Sequence, residues 1–137
     1  MARKSSDQKS IEEAGLSADY IPDRPEPLNG MTREQKDVWS VIVNRMPADW
    51  FLAETYELLA QYCRHACEAR RVSAIIRAHT ADPETSEKWI EQYDRLLKIQ
   101  EREGRAMSSL ATRLRITQQS TVNAKIQKPA EPDEPWS

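Results

Sequence analysis

The sequence predicts an all-α protein whose main feature is a long antiparallel helical hairpin, with a shorter helix packed at one end and a short C-terminal helix. Glycine is rare, at 3 of 137 residues, and charged residues make up 31%, which is typical of long solvated helices. Apolar residues recur at intervals of three and four over two stretches of roughly 30 residues. A turn signal, "TADPET", separates these stretches. The length suits a single domain.

Composition divides the chain into three parts. Residues 1–30 are predicted to form a flexible N-terminal arm, because "DYIPDRPEPLNG" holds three prolines and a glycine with few apolar anchors. Residues 31–127 carry the helical periodicity and form the predicted folded domain. Residues 128–137, "KPAEPDEPWS", are predicted to be a disordered acidic tail.

The first predicted helix opens at Thr32, which forms a capping box with Gln35. Pro47 ends it, because proline cannot continue a helix. One face of this helix is apolar: Val38, Trp39, Ile42, Val43 and Met46.

The second predicted helix runs from about residue 50 to about residue 79, with Asp49 as its N-cap. Cys63 and Cys67 are four residues apart, and we interpret them as two small buried thiols. A zinc site would need about two further ligands. The apolar face of this helix is formed by Leu52, Tyr56, Leu59, Cys63 and Ala66, continued by Val72, Ile75 and Ile76.

In the third predicted helix, Asp82 is the cap and Pro83 the first residue, and the helix ends near Arg115. Gly104 lies within its apolar seam and predicts a close backbone crossing near Ala60. Thr117 then caps a short helix over residues 118–125. The seam follows an unbroken heptad pattern: Ile90, Tyr93, Leu97, Gln100, Gly104, Met107, Ala111 and Leu114.

The sequence carries no motif of an enzyme: it has no Gly-rich phosphate loop and no metal-ligand spacing, so we predict a protein without catalysis or cofactor. Acidic and basic residues alternate along the helices, as expected of a solvated surface. One enzymatic alternative is a polar pocket built from Arg64, Arg71 and Gln100, as in the all-helical chorismate mutases. We also expect neither a membrane span nor a signal peptide, because no apolar run reaches membrane length and no apolar core follows the basic residues of "MARKSSDQKS".

Basic residues predict a local anion-binding surface although the formal net charge is −2. Residues 105–128 hold five basic residues and no acidic one. One interpretation is a solvated helix end, where cations are favoured by the helix dipole. The other is contact with nucleic-acid phosphates. The candidate DNA-binding residues are Arg64, Arg70, Arg71, Arg77, Arg113, Arg115, Lys125 and Lys128.

Three stretches, "L..MT..QKDVW..IV..MP", "Y..LLAQYCR...EA" and "LA.RLRIT..S", resemble the small terminase subunits of tailed bacteriophages, in the branch without an evident N-terminal helix-turn-helix. The resemblance covers residues 28–125. Members often close with Leu-Gly-Leu-Thr-Pro, where this chain has Leu114-Arg115-Ile116-Thr117-Gln118. The matched positions are Trp39, Pro47, Leu59, Tyr62, Cys63, Leu110, Leu114 and Thr117.

The resemblance implies a non-catalytic protein of viral DNA packaging in the cytoplasm of the infected host. It implies a ring homo-oligomer that binds double-stranded viral DNA and recruits the large terminase subunit, which holds the ATPase and nuclease. The acidic tail, with Asp133, Glu134 and Trp136, is the expected docking segment for that subunit; the alternative is a solubilising tail. The competing class of function is a helical protein-binding scaffold or small regulator without DNA activity.

Overall fold

A computed structural model describes residues 23–118, and within this range the chain is helical without strands. The helices are α1 (Arg33–Arg45), α2 (Tyr56–Thr80) and α3 (Glu87–Leu114), with a single 3-10 turn at Ala53–Thr55 before α2. The all-α prediction is confirmed, and α2 and α3 pack along each other as a helical hairpin. The predicted C-terminal helix lies outside the described residues except for Gln118, which is helical.

Helix α1 begins with the predicted capping box. The Gln35 amide donates to Thr32 Oγ1 at 3.2 Å, and the Thr32 amide donates to Gln35 Oε1 at 3.0 Å. Two otherwise orphaned amides are thereby satisfied. The predicted apolar face of α1 is buried along its whole length: Val38, Trp39, Ile42, Val43 and Met46.

The hydrophobic core lies at the end of the hairpin where α1 crosses it. Trp39, Leu59 and Cys63 are its largest fully buried side chains. The segment before α1 is also held there, because Trp39 Nε1 donates to the Pro25 carbonyl at 2.9 Å and Arg24 donates to the carbonyls of Val43 and Met46. Residues 23–28 therefore lie against α1, while residues 1–22 of the predicted arm are outside the described range.

The predicted start of the second helix was wrong. Asp49 does not cap it; residues 47–50 form a turn in which the Trp50 amide donates to the Pro47 carbonyl at 3.0 Å. The chain then passes through the 3-10 turn before α2 begins at Tyr56. The reason is tertiary, because Trp50 Nε1 donates to the carbonyl of Leu114 at the far end of α3, at 3.1 Å.

The predicted start of the third helix was also wrong. Asp82 and Pro83 lie in the loop of the hairpin, and Ser86 is the N-cap of α3, with its Oγ accepting from the Trp89 amide at 3.3 Å. The turn is closed by a pair of stacked rings, His79 and Trp89, whose centroids are 4.4 Å apart. Trp89 Nε1 also donates to the His79 carbonyl at 3.3 Å. This contact sets where α3 starts.

Replacing Ser86 by alanine is expected to lower the free energy of unfolding by about 1 kcal/mol, because the Trp89 amide loses its capping acceptor. Asp82→Ala is the matched control and should change stability by less than about 0.5 kcal/mol, since an exposed loop position outside such features tolerates substitution. Urea unfolding followed by circular dichroism measures both. A larger loss for Asp82→Ala than for Ser86→Ala would contradict the observed helix start.

The heptad seam of α3 has the predicted period but only part of it faces α2. The side chains turned inward include Trp89, Leu96 and Leu110, whereas Ile90 and Leu97 are 53% and 38% exposed. The predicted crossing near Ala60 was wrong, because no part of α2 lies within 4 Å of the position that a Cβ of Gly104 would take. No close backbone approach within residues 23–118 therefore compensates the ~1 kcal/mol by which a helical glycine is less favourable than alanine.

Candidate nucleic-acid interface

The six candidate DNA-binding arginines that the structure describes do not form one patch. They fall on three surfaces: Arg70 and Arg77 in a groove between α1 and α2, Arg113 and Arg115 at the C-terminal corner of α3, and Arg64 and Arg71 along another side of α2. Lys125 and Lys128 lie outside the described residues, as do the predicted partner-binding Asp133, Glu134 and Trp136.

The groove between α1 and α2 has a volume of about 730 Å³ and an apolar floor. Ile42, Ala66 and Ile116 contribute buried side chains to this floor, and Val41 on its wall is 68% exposed. Such a surface combines a concave shape with apolar area.

Three arginines line the groove, because Arg45 from the last turn of α1 joins Arg70 and Arg77 from α2. Asp37 is the acidic residue in the lining. Arg70 Nη1 lies 4.0 Å from a carboxylate oxygen of Glu34, and both side chains are more than half exposed, so this pair is weak. The groove therefore has an excess of positive charge.

Sequence reasoning missed Arg45 as a member of this surface. It grouped basic residues by their position along each helix, and Arg45 lies on a different helix from the other two. The available signal was the position of Arg45 next to Met46 at the end of the apolar face of α1, since that face had to pack on α2. A groove between two packed helices is lined from both of them.

The corner after α3 is held in a fixed shape by Trp50 and Arg115. Arg115 caps α3 in the left-handed conformation, with φ 57° and ψ 38°. Its guanidinium lies over the Trp50 ring, 5.5 Å from the centroid, a cation–π geometry. Arg113 and Arg115 line a second cavity of about 520 Å³ together with Trp50, and Leu52 on its edge is 58% exposed.

Arg64 and Arg71 lie seven residues apart, two turns along the same side of α2. Each successive helical residue is rotated by about 100°, so Arg71 points away from the groove that Arg70 lines. Arg71 forms a surface ion pair with Glu68 at 3.1 Å. Arg64, Arg71 and Gln100 are all exposed, and neither the groove nor the corner cavity is lined by them, so the structure gives no support to the enzymatic pocket proposed for these three.

Cys63 and Cys67 are both free thiols within the core, as predicted. Burial, and after it the neighbouring Cys67, raises the pKa of the Cys63 thiol to about 12 from an ordinary 9.0. Burial also raises the pKa of Cys67. Within residues 23–118 there is no group of three or more His, Cys, Asp or Glu residues placed to hold a metal ion.

No protein-family model, curated protein or solved structure matches the chain. In the part of the chain that the structure describes, no helix is both long enough and apolar enough to cross a membrane.

Proposed function

We propose that the chain is a non-catalytic DNA-packaging protein of a tailed bacteriophage, a small terminase subunit that acts as a ring homo-oligomer in the cytoplasm of the infected host. It binds double-stranded viral DNA and recruits the large subunit. The sequence resemblance over residues 28–125 motivates this proposal. The structural observation that supports it best is a helical hairpin that extends beyond the core and bears exposed apolar residues, namely Ile75, Ile90 and Leu97.

Exposed apolar side chains at regular helical spacing favour a protein that packs against another protein surface. The core cluster involves α1, the first half of α2 and the C-terminal end of α3. In the part of the chain that the structure describes, the remaining half of the hairpin consists of α2 and α3 alone. A ring that places such hairpins side by side would cover their apolar residues and repeat each modest basic surface many times around a duplex.

For DNA contact we assign the groove residues Arg70 and Arg77, joined by Arg45, and the corner residues Arg113 and Arg115. Lys125 and Lys128 extend the corner set in sequence. Guanidinium groups pair with phosphate oxygens in two parallel hydrogen bonds, which suits sequence-independent duplex binding. The excess of cations in the groove is the electrostatic basis of this assignment.

The alternative function is a helical scaffold that binds only protein. The exposed Val41 in the groove and Leu52 at the corner favour it, because apolar side chains add little to phosphate binding. The two functions differ in one measurable property. DNA binding through phosphates weakens steeply with salt, whereas apolar protein binding does not.

Arg70→Ala with Arg77→Ala is expected to weaken duplex binding and to lower the slope of log K against log salt by about 1 for each lost contact per engaged protomer. The exposed pair Arg95→Ala with Arg102→Ala is the matched control, because it removes the same charge from α3 outside the groove. Gel shift or fluorescence anisotropy at several salt concentrations measures the slope.

Equal slopes for the groove variant, the control and the wild type would remove the groove from the DNA surface. Arg113→Ala with Lys125→Ala then tests the corner set in the same assay. If the wild-type protein assembles but shows no salt-dependent shift of DNA, the DNA-packaging function is rejected and the scaffold function is retained.

A further inference from the structure

Helix α3 carries two apolar rows, of which α2 covers only one. The inner row includes the half-buried Trp89 and Leu96 and the buried Leu110. The second, which we call the outer row, consists of Ile90, Leu97 and Gly104 at seven-residue intervals, and all three residues are exposed. A helix with two adjacent heptad rows is typical of a helix that packs between two neighbours.

Gly104 gives the outer row a feature that the described part of the single chain does not explain. Among residues 23–118, no side chain and no backbone beyond the adjoining turns of α3 lies within 4 Å of the position that a Cβ of Gly104 would take, so the glycine makes no room for any other described residue. Glycine nevertheless weakens a helix interior. A second helix that crosses close to Gly104 would account for the missing side chain, as small residues allow helix backbones to approach.

An acidic row runs beside the outer row. Glu87, Asp94 and Glu101 each precede an outer-row residue by three positions, so they are its neighbours on the helix surface, and all three are exposed. Asp94 and Glu101 form surface ion pairs with Lys98 and Arg105, at 2.7 and 2.5 Å. These exposed pairs contribute little and can rearrange when another cation approaches.

Helix α2 carries the complementary surface, which we call the arginine row: Arg64 and Arg71, with Ile75 one turn further on. Ile75 is 46% exposed and Arg71 is 67% exposed. Arg71 is paired with Glu68 at the surface. The arginine row thus offers an apolar group and two cations that flank Glu68, a net positive charge, where the outer and acidic rows of α3 offer apolar groups and anions.

The residues of the outer, acidic and arginine rows lie at matching positions along the hairpin axis, which we call their heights. His79 lies beside Trp89, and His65 contacts Glu103, which fixes the antiparallel register of α2 and α3. In this register Ile75 is level with the middle of the segment 90–97. Arg71 is level with Leu97 and Arg64 with Gly104, so each arginine lies within about one turn of Glu101 in height.

We propose that the outer row of one copy packs on the arginine row of the next copy, with Glu101 within reach of the neighbour's Arg64 and Arg71, the two cations that flank Glu68. When two copies are related by a rotation about an axis parallel to the hairpin, equivalent residues lie at the same height along that axis. Ile75 of one copy then meets the segment between Ile90 and Leu97 of the other. The two surfaces differ, so the contact is head-to-tail and generates a ring when the rotation closes. This inference rests on the self-association in the proposed function, and it assigns Arg64 and Arg71 to the subunit contact rather than to DNA.

Charge reversal across the contact tests this assignment in the full-length chain. Glu101→Arg and Arg71→Glu are each expected to shift the native mass toward the monomer, with roughly tenfold or greater weakening of assembly, because like charges then face each other. The double variant Glu101→Arg with Arg71→Glu should recover the wild-type mass, because the arginine introduced at position 101 then faces two anions, Glu68 and the glutamate at position 71, which outweigh Arg64. Native mass spectrometry gives the stoichiometry, and circular dichroism confirms that the helices are retained.

The matched control is Arg95→Glu. Arg95 comes one residue before Leu96 of the inner row, whereas Leu97 of the outer row comes one residue after it. Arg95 therefore lies on the flank of α3 opposite the outer row, and its substitution should leave the native mass unchanged. Gly104→Leu is an independent variant, which should retain helical content but lose assembly because it fills the crossing point.

Each outcome has a distinct meaning. A wild type that assembles while both single reversals keep the assembled mass overturns this contact and leaves the ring in place. Dissociation by both single variants without recovery in the double variant overturns the pairing of these two residues. A monomeric wild type overturns self-association itself, and DNA binding is then decided by the salt-dependence measurement alone.

Discussion

Trp39→Ala is expected to lower the free energy of unfolding by about 3–5 kcal/mol, which is a large part of the stability of a typical domain. Trp39 is 0% exposed, and its ring meets the edge of Tyr56 with centroids 6.1 Å apart. The substitution removes the largest buried side chain of α1 and leaves a cavity between α1 and α2. It also leaves the Pro25 carbonyl without the donor that holds the preceding segment.

Two further variants separate these contributions. Trp39→Phe keeps most of the ring area but removes the Nε1 donor, so it should lose less than Trp39→Ala. Val41→Ala lies two residues away on α1 at a side chain that is 68% exposed, and it should change stability by less than about 0.5 kcal/mol. Urea unfolding at fixed protein concentration measures all three. A loss for Trp39→Ala no larger than that of Val41→Ala would show that α1 is not part of the core.

Local rules predicted those elements whose determinants are close in sequence. The capping box of Thr32 and Gln35 is a contact between residues three apart, and the apolar face of α1 follows a period that one helix alone can express. Both were confirmed. The same holds for the burial of Cys63 and Cys67, which follows from the apolar stripe around them.

The predicted starts of α2 and α3 were wrong for the opposite reason, because distant contacts determine them. Asp49 satisfies the local preference for a cap, but Trp50 is held by a carbonyl 64 residues away. Asp82 and Pro83 also form a good local start, yet the contact of His79 with Trp89 places the first turn at Ser86. Local cap preferences differ by about 1 kcal/mol, so one long-range contact can decide between them.

For the candidate DNA-binding site, the sequence predicted which basic residues take part but not how they are arranged on the surface. Seven-residue spacing correctly placed Arg64 with Arg71 and Arg70 with Arg77 along single sides of α2. Spacing does not say which side α1 covers, and this determines that Arg70 and Arg77 line a groove while Arg64 and Arg71 do not. The heptad seam of α3 raised the same ambiguity, since its period was right but α2 covers only part of it.

The core thiols give the second large effect, a strong resistance to alkylation in the folded state. The thiolate is the nucleophile, and the pKa of the Cys63 thiol is raised to about 12 by burial and by the nearby Cys67. Compared with an ordinary thiol of pKa 9.0, a pKa of about 12 reduces the thiolate fraction at pH 8 by roughly a thousandfold. Cys63 is also 0% exposed, so a reagent cannot reach it without local opening.

We therefore expect iodoacetamide at pH 8 to modify Cys63 and Cys67 rapidly in urea and at least a hundredfold more slowly in the native protein, as followed by intact mass. Cys63→Ala and Cys67→Ala report the two positions separately. Because the folded-state pKa of Cys63 is raised, its contribution to stability is complete below pH 9 and is lost as the pH rises through about 12. The difference in urea midpoint between wild type and Cys63→Ala should fall over that interval. Rapid native labelling of Cys63, together with a midpoint difference that does not change with pH, would show that the α1–α2 core is open in solution.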